Sequence, residues 1–262
     1  MRRFTHISTL DKVVMIATPI VATIASIVFN LSFLQSTLLF YGVPSIYLSI
    51  RNPRLVKTTL IFSLIMGLTM LFIFDHMAYM DHSWFVPNSR WRFLDNSIPI
   101  EDGPWAVLLV YISVITWEYF FQKPQKDPSF HKNINYFVVF CATLLTLFFI
   151  AYIFSPQRLV IPYFYIKMGI VFEIIPLVIF IFYRPAIFKR LLKLTIYFFL
   201  VSALAEFIGL RNYQWYFEGK HYIGETLYFG HRLPWDEVLN YWLLATPGTV
   251  AWYEFFASKR TA

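Results

Sequence analysis

Long apolar segments recur along the whole chain, and this pattern restricts the possible folds more than any other feature of the sequence. Each segment has roughly 18 to 22 mostly apolar residues, the length that an α-helix needs to cross about 30 Å of hydrocarbon. Of the 262 residues, 58% are hydrophobic and only 14% are charged, more apolar surface than one soluble core can hide. The sequence therefore predicts an integral membrane protein.

The spanning segments are predicted to be helices, because backbone polar groups must be paired within lipid and the alternation of a membrane β-barrel is absent. The expected fold is an all-α membrane protein of about eight transmembrane helices, arranged as two tandem, pseudo-symmetric four-helix repeats. The predicted spans cover residues 12–30, 34–50, 56–74, 104–121, 134–154, 159–182, 187–208 and 238–256.

Basic residues cluster in the connectors that follow the second, fourth and sixth predicted spans and at both ends of the chain. By the positive-inside rule, this distribution predicts a multi-pass protein of the cell membrane with both termini in the cytoplasm. The formal charge of +7 is spread over short connectors instead of one surface stripe, which argues against nucleic-acid binding. Membrane lipid is therefore the expected surrounding partner, and the oligomeric state stays open.

Two long polar stretches on the opposite face, with the acids that precede them, repeat each other. The first copy reads Asp75, then Trp84, then Pro99-Ile100-Glu101-Asp102. The second copy reads Glu206, then Trp215, then Pro234-Trp235-Asp236-Glu237. The offsets are 206 − 75 = 131 and 234 − 99 = 135, and the acid-to-Trp spacing is nine residues in both copies. We predict a first repeat over residues 1–125 and a second over residues 126–262.

Each acidic pair follows a proline and is expected in the first turn of a transmembrane helix, where proline is well tolerated. Adjacent residues on a helix point about 100° apart, so one acid of each pair should face the bundle interior. Asp75 and Glu206 are expected to approach these acids from the ends of their own spans. The alternative is that the acids complement the helix dipole and mark the water boundary. Their recurrence in both halves favours a functional role, and a buried carboxyl that keeps its proton can act as a general acid.

Other titratable residues are less informative. Glu118 and Glu254 lie about 26 Å along their helices from the motif acids and are assigned a structural role. Glu173 lies in the middle of a span, where it must be protonated or paired. The six histidines lack metal-ligand spacing, and no Gly-rich nucleotide loop is present, so neither a metal nor a cofactor is expected.

The repeated pattern of an acid, a Trp nine residues on and Pro-x-acid-acid resembles the small integral-membrane lycopene cyclases, in their fused two-domain form. The resemblance covers both repeats, from about residue 34 to 256, and departs from the family where Asp236 replaces the first Glu and Trp235 precedes it. It implies a cofactor-independent isomerase of carotenoid biosynthesis, which cyclises the end groups of a linear, lipid-soluble carotenoid such as lycopene. In this reaction a carboxylic acid protonates a terminal alkene, an internal double bond attacks the cation, and a carboxylate removes a proton.

For the catalytic role, Glu101 is expected to be the principal acid, with Asp102 and Asp75 as its partners. The related set in the second repeat is Asp236, Glu237 and Glu206. Aromatic faces stabilise cations, so the expected substrate-binding wall residues are Trp84, Trp105, Trp215 and Trp235. Two alternatives stay open: a related carotenoid hydratase, in which water captures the same cation, and a non-enzymatic transporter or channel with intramembrane carboxylates.

Overall fold

The computed structural model describes residues 7–123 and 129–258. In this part of the chain the protein is all-α, with eight long helices, of which seven are apolar and long enough to cross a membrane. The prediction of an all-α, multi-pass membrane protein is confirmed. The first seven helices are α1 (Thr9–Phe29), α2 (Phe33–Arg51), α3 (Val56–Met80), α4 (Asp102–Phe121), α5 (Ile134–Phe154), α6 (Phe164–Tyr183) and α7 (Pro185–Arg211).

The eighth helix, α8, runs without a break through Trp235–Glu237, Val238–Leu244 and Ala245–Phe256. Helix α3 continues past its predicted end at residue 74 to Met80, and α7 continues past its predicted end at residue 208 to Arg211. Asp75 and Glu206 consequently lie inside helices, with one further turn or more of helix after each, and do not terminate their spans.

Five of the helices contain a π-helical segment, in which one extra residue widens a turn; such segments are frequent at functional sites. The segments are Leu38–Gly42 in α2, Leu71–Asp75 in α3, Trp117–Phe121 in α4, Ile170–Ile174 in α6 and Val238–Leu244 in α8. In α2 and α6 a proline, Pro44 or Pro176, lies two residues after the segment. The offset of 176 − 44 = 132 relates these two helices as equivalent members of the repeats.

A short antiparallel hairpin precedes each motif helix. Strand β1 (Arg92–Phe93) pairs with β2 (Ile98–Pro99), and β3 (Glu225–Tyr228) pairs with β4 (His231–Pro234). The motif prolines therefore end strands and do not occupy the first helical turn; Pro234 has an extended ψ of 144° and caps α8. Asp102, Asp236 and Glu237 lie in the first helical turn as predicted, whereas Glu101 is the N-cap that precedes α4.

The polar loops of the two halves meet at one symmetric contact. The backbone N–H of Phe85 donates to the carbonyl of Tyr216 (3.0 Å), and the N–H of Tyr216 donates to the carbonyl of Phe85 (2.9 Å). The offset is again 216 − 85 = 131, and a pair that exchanges both hydrogen bonds is two-fold symmetric. The contact thus joins corresponding positions of the two predicted repeats. Nearby, the Tyr222 hydroxyl donates to the carbonyl of Ser83 (2.7 Å), and burial raises the pKa of Tyr222, so the donor keeps its proton.

Helix α4 lies at the centre of the bundle and α5 at its edge. About 67% of the most apolar segment of α4 is buried inside the protein, against 17% of the corresponding segment of α5. The outer face of α5 carries exposed apolar side chains that are suited to contact with lipid. Gly67 of α3 permits a close approach to α4, since a Cβ at residue 67 would lie 2.9 Å from the Cα of Val107. The central position of α4 places the motif acids at its N-terminus between the two halves.

Candidate functional site

A space of about 60 Å³ lies between the two halves, and we call it the carboxyl cavity. Helices α2, α3, α4, α6 and α8 and the two loops that pair at Phe85 and Tyr216 all contribute to its wall. The lining residues are Phe33, Asp75, Trp84, Val86, Asp102, Trp105, Tyr165, Trp215, Phe217, Glu237 and Tyr241. Its wall is thus aromatic apart from Val86 and three carboxyl groups.

The lining residues come in pairs related by the repeat. With offsets of 131 to 136 residues, ten of the eleven form five pairs, which are Phe33 and Tyr165, Trp84 and Trp215, Val86 and Phe217, Asp102 and Glu237, and Trp105 and Tyr241. The eleventh is Asp75, and its counterpart Glu206 is fully buried behind the indole of Trp215. Residues at corresponding positions of both predicted repeats therefore line the carboxyl cavity.

In the first half, Asp75 and Asp102 are buried side by side and interact electrostatically. The Oδ2 atom of each has no hydrogen-bond partner. Arg92 lines a small adjoining space with both acids, but its guanidinium donates to the backbone carbonyl of Val86 and forms no ion pair with either acid in the described part of the chain. Two carboxyl groups thus meet in an apolar setting, where a pair of negative charges is costly, and Arg92 acts on Asp102 only through space.

In the second half, the equivalent carboxyl groups are hydrogen-bonded. The indole Nε1 of Trp215 donates to Glu206 (2.9 Å), and the hydroxyl of Tyr165 donates to Glu237. Glu206 and Glu237 also interact with each other. A hydrogen bond donated to a carboxyl oxygen favours the ionised form. The two halves therefore differ in the hydrogen bonds donated to their carboxyl groups, although Oε2 of Glu206, like Oδ2 of Asp75 and of Asp102, has no hydrogen-bond partner.

Two substitutions between the repeats explain this difference. Phe33, the counterpart of Tyr165, has no hydroxyl to donate. Gly209 makes room for Trp215, because a Cβ at residue 209 would lie 2.1 Å from the indole, whereas its counterpart (209 − 131 = 78) is a buried alanine. Within the described residues, Trp84 makes no hydrogen bond to Asp75.

The structure brings together some of the predicted site residues and separates others. Asp102 and Glu237 face the carboxyl cavity, in agreement with the expectation that one acid of each pair points inward. Glu101 lines a separate polar cleft of about 570 Å³ and accepts a hydrogen bond from the Ser89 hydroxyl. Asp236 accepts a hydrogen bond from the backbone N–H of Ile223 (2.9 Å). Glu101, which was expected to be the principal acid, lies outside the carboxyl cavity, and its neighbour Asp102 lines the cavity instead.

Three of the four predicted tryptophans line the cavity, namely Trp84, Trp105 and Trp215. The fourth, Trp235, is 47% exposed and packs beside Gly224 outside the cavity. Sequence reasoning missed the other five lining residues, which are Phe33, Val86, Tyr165, Phe217 and Tyr241. The offset of 132 between Pro44 and Pro176 is a signal that would have aligned α2 with α6 and paired Phe33 with Tyr165.

The remaining buried acids lie elsewhere. Glu254 accepts hydrogen bonds from the indole of Trp117 (2.7 Å) and from Gln122 (3.0 Å), near the far ends of α4 and α8, in keeping with its predicted structural role. Glu173 lines a second cavity. Across residues 7–123 and 129–258, no group of three or more His, Cys, Asp or Glu side chains is arranged to hold a metal ion.

The fold and the site define a multi-pass, all-α membrane protein with an internal aromatic cavity between two pairs of buried carboxyl groups. No family model, curated protein or solved structure matches the chain. The functional argument therefore depends on the chemistry of the cavity.

Proposed function

We propose that the protein is a cofactor-independent isomerase that cyclises the end groups of a linear, lycopene-like carotenoid by acid–base chemistry within the membrane. The observation that carries this proposal is the pair of carboxyl groups on each side of one aromatic cavity, Asp75 with Asp102 and Glu206 with Glu237. The reaction needs a proton donor, a proton acceptor and a cation-stabilising wall that excludes water, and the cavity contains a candidate for each.

Asp102 is the proposed proton donor, with Asp75 as its neighbour. Their side chains are buried side by side, and Arg92 acts on Asp102 only through space, without an ion pair in the described part of the chain. The ionisation of both acids would therefore be electrostatically costly, and one proton is retained between them. In the proposed step, this proton adds to the terminal carbon–carbon double bond of the substrate. The resulting carbocation is then attacked by an internal double bond of the same molecule, which closes the ring.

Glu237 is the proposed proton acceptor. Its hydrogen bond from the Tyr165 hydroxyl favours the carboxylate, which is the form that can remove a proton from the ring cation. One proton enters at Asp102 and one leaves at Glu237, so the product has the same mass as the substrate. The cavity then returns to its starting state when the proton is passed back between the two carboxyl pairs.

The aromatic wall is suited to the intermediate. Trp84, Trp105 and Trp215 line the cavity, and an aromatic face stabilises a desolvated cation by about 0.5 to 2 kcal/mol. A carotenoid dissolves only in lipid, so the substrate is proposed to reach the cavity sideways from the bilayer. We further propose that the protein lies in the cell membrane with both termini in the cytoplasm, from the distribution of basic connectors.

The test is expression of the full chain in a lycopene-producing host, followed by chromatography and mass measurement of the pigments. The native chain should give a product of unchanged mass and altered retention. Asp102→Asn should lower conversion by about 100-fold or more, the typical contribution of a general acid. Glu101→Gln, which changes the neighbouring acid outside the cavity, is the matched control and should retain most of the activity. Full activity of Asp102→Asn would contradict the proposed donor.

The same assay separates the alternatives. A product that carries one added water would identify a hydratase, in which water and not an alkene captures the cation. The absence of any converted pigment, with the protein present in the membrane, would favour the non-enzymatic transporter or channel.

A further inference from the structure

A second cavity, of about 40 Å³, lies among helices α3, α5, α6 and α8, within the membrane-spanning part of the bundle. Its wall is largely apolar and includes Phe74, Phe137, Phe140, Met168 and Trp252. The side chain of Phe140 is also 36% exposed on the outer face of α5, so the cavity lies close to the surrounding lipid. We call it the lipid-side cavity.

One carboxyl group interrupts this apolar wall. Glu173 of α6 is 93% buried, and its Oε2 atom has no hydrogen-bond partner. The residue lies in the π-helical segment Ile170–Ile174, and Gly248 of α8 packs against it, since a Cβ at residue 248 would lie 3.1 Å from the Cα of Glu173. A buried polar group without a partner destabilises the folded state, so a carboxyl group at this position points to a function.

Glu173 interacts electrostatically with Glu237 but does not line the carboxyl cavity. It follows Tyr165, which lines the carboxyl cavity, by eight residues, or about 12 Å along α6. Its counterpart in the first half is Tyr41 (173 − 132 = 41), whose hydroxyl is hydrogen-bonded to the hydroxyl of Tyr241. The polar group at this position is therefore satisfied within the protein in one half, whereas in the other half one oxygen of a carboxyl group that lines a cavity has no hydrogen-bond partner.

We infer that the lipid-side cavity is a binding site for a neutral, elongated lipid alcohol, whose hydroxyl group bonds to Glu173 and whose hydrocarbon chain lies along the aromatic wall. A hydroxyl both donates and accepts a hydrogen bond, which matches a carboxyl group in either protonation state. No Lys or Arg lines the cavity, so an anionic headgroup has no partner. An ammonium headgroup would have to enter hydrocarbon as a charge, which is costly.

Cys141 provides a native reporter, because it is the single cysteine of the chain and lines this cavity. The experiment uses the full chain in lipid nanodiscs, with N-ethylmaleimide to alkylate Cys141 and geranylgeraniol as the probe alcohol. We expect the alcohol to slow alkylation in a saturable way. The matching hydrocarbon without the hydroxyl, and the matching amine, should protect at least tenfold less well.

The variants test the carboxyl group directly. Glu173→Leu should raise the half-protecting concentration of geranylgeraniol about tenfold, the loss expected for one hydrogen bond of about 1.4 kcal/mol. Glu173→Gln keeps a hydrogen-bonding amide and should raise it less. Glu206→Gln alters a buried carboxyl group of the other site and should leave protection unchanged, which makes it the matched control. Photo-cross-linking by a diazirine-bearing form of the same alcohol should label peptides from α5 and α6.

The inference is overturned if Glu173→Leu binds the alcohol as tightly as the native chain, or if the hydrocarbon protects equally well. Cross-linking confined to helices that do not line this cavity would overturn it as well. The assay measures binding without turnover, so these outcomes are separate from success or failure of carotenoid cyclisation.

Discussion

The substitution Gly209→Ala tests the feature that distinguishes the two halves of the carboxyl cavity. Gly209 of α7 faces the indole of Trp215, which lines the cavity and donates a hydrogen bond to Glu206. A Cβ at residue 209 would lie 2.1 Å from the indole, whereas ordinary contact begins at 3.4 Å. The ring must therefore retreat by 3.4 − 2.1 = 1.3 Å, which withdraws it from both the cavity wall and the carboxyl group.

The expected free-energy change follows from three contributions. Overpacking of this size costs about 1 to 3 kcal/mol, and loss of the hydrogen bond to Glu206 costs about 1 kcal/mol. The better helix propensity of alanine stabilises the folded state by about 1 kcal/mol. The net loss is about 2 kcal/mol, which corresponds to a decrease in melting temperature of roughly 4 to 8 °C for a chain of this length. Displacement of a wall residue by about 1 Å should also reduce cyclisation about 100-fold.

The assay is thermal unfolding of the purified chain in detergent, in parallel with pigment conversion in the lycopene-producing host. Gly103→Ala is the matched control, because a Cβ at residue 103 would meet only the side chain of Leu71 at 3.6 Å, an ordinary contact. The control should melt at the native temperature or slightly above it. If Gly209→Ala is as stable as that control, the indole of Trp215 does not pack against this glycine and the account of the asymmetry is wrong.

Three further substitutions test other parts of the structure. Tyr165→Phe removes the hydrogen bond to Glu237 without changing the shape of the cavity. The loss of about 1.5 to 3 kcal/mol should lower the conversion rate by about 10- to 100-fold. A native conversion rate would show that this hydrogen bond does not help Glu237 to remove the proton. Phe33 and Val86 both line the carboxyl cavity and the polar cleft. The double substitution of both residues by alanine should let water from the cleft enter the cavity, and mass spectrometry should then detect a product with one added water. An unchanged product spectrum would show that these two side chains do not exclude water. Gly67→Ala forces a Cβ to within 2.9 Å of the α4 backbone and should lower the melting temperature by several degrees, and an unchanged temperature would refute the close helix contact.

The sequence alone was sufficient for the membrane class, the number of helices and the repeated acid and Trp landmarks. The physical reason is that a spanning helix is recognised from the length of one apolar segment, and the required length depends only on the thickness of the bilayer. The repeat offsets near 131 to 136 likewise need no structure, and they already relate Asp75 to Glu206 and Trp84 to Trp215. A carboxyl group at the start of a helix can also be recognised from its position after proline.

Only the tertiary structure decided which member of each acidic pair enters the cavity. Neighbouring residues on a helix differ by about 100° in direction, and the rotation of α4 about its axis is set by its packing on α3 at Gly67. That rotation directs Asp102 inward and leaves Glu101 in the polar cleft. Composition cannot reveal it, because the two acids are chemically alike.

Tertiary packing also brought to the site residues that lie outside the repeated acidic motif. Tyr165 reaches Glu237 from 72 positions away, and its effect depends on a contact between α6 and α8 that no local pattern encodes. The π-helical segments add to this difficulty, because each inserted residue turns the following side chains by about 100° and shifts the repeat offset by one. Apolar length and repetition thus determined the helices, whereas helix rotation and the contacts between distant helices determined the site.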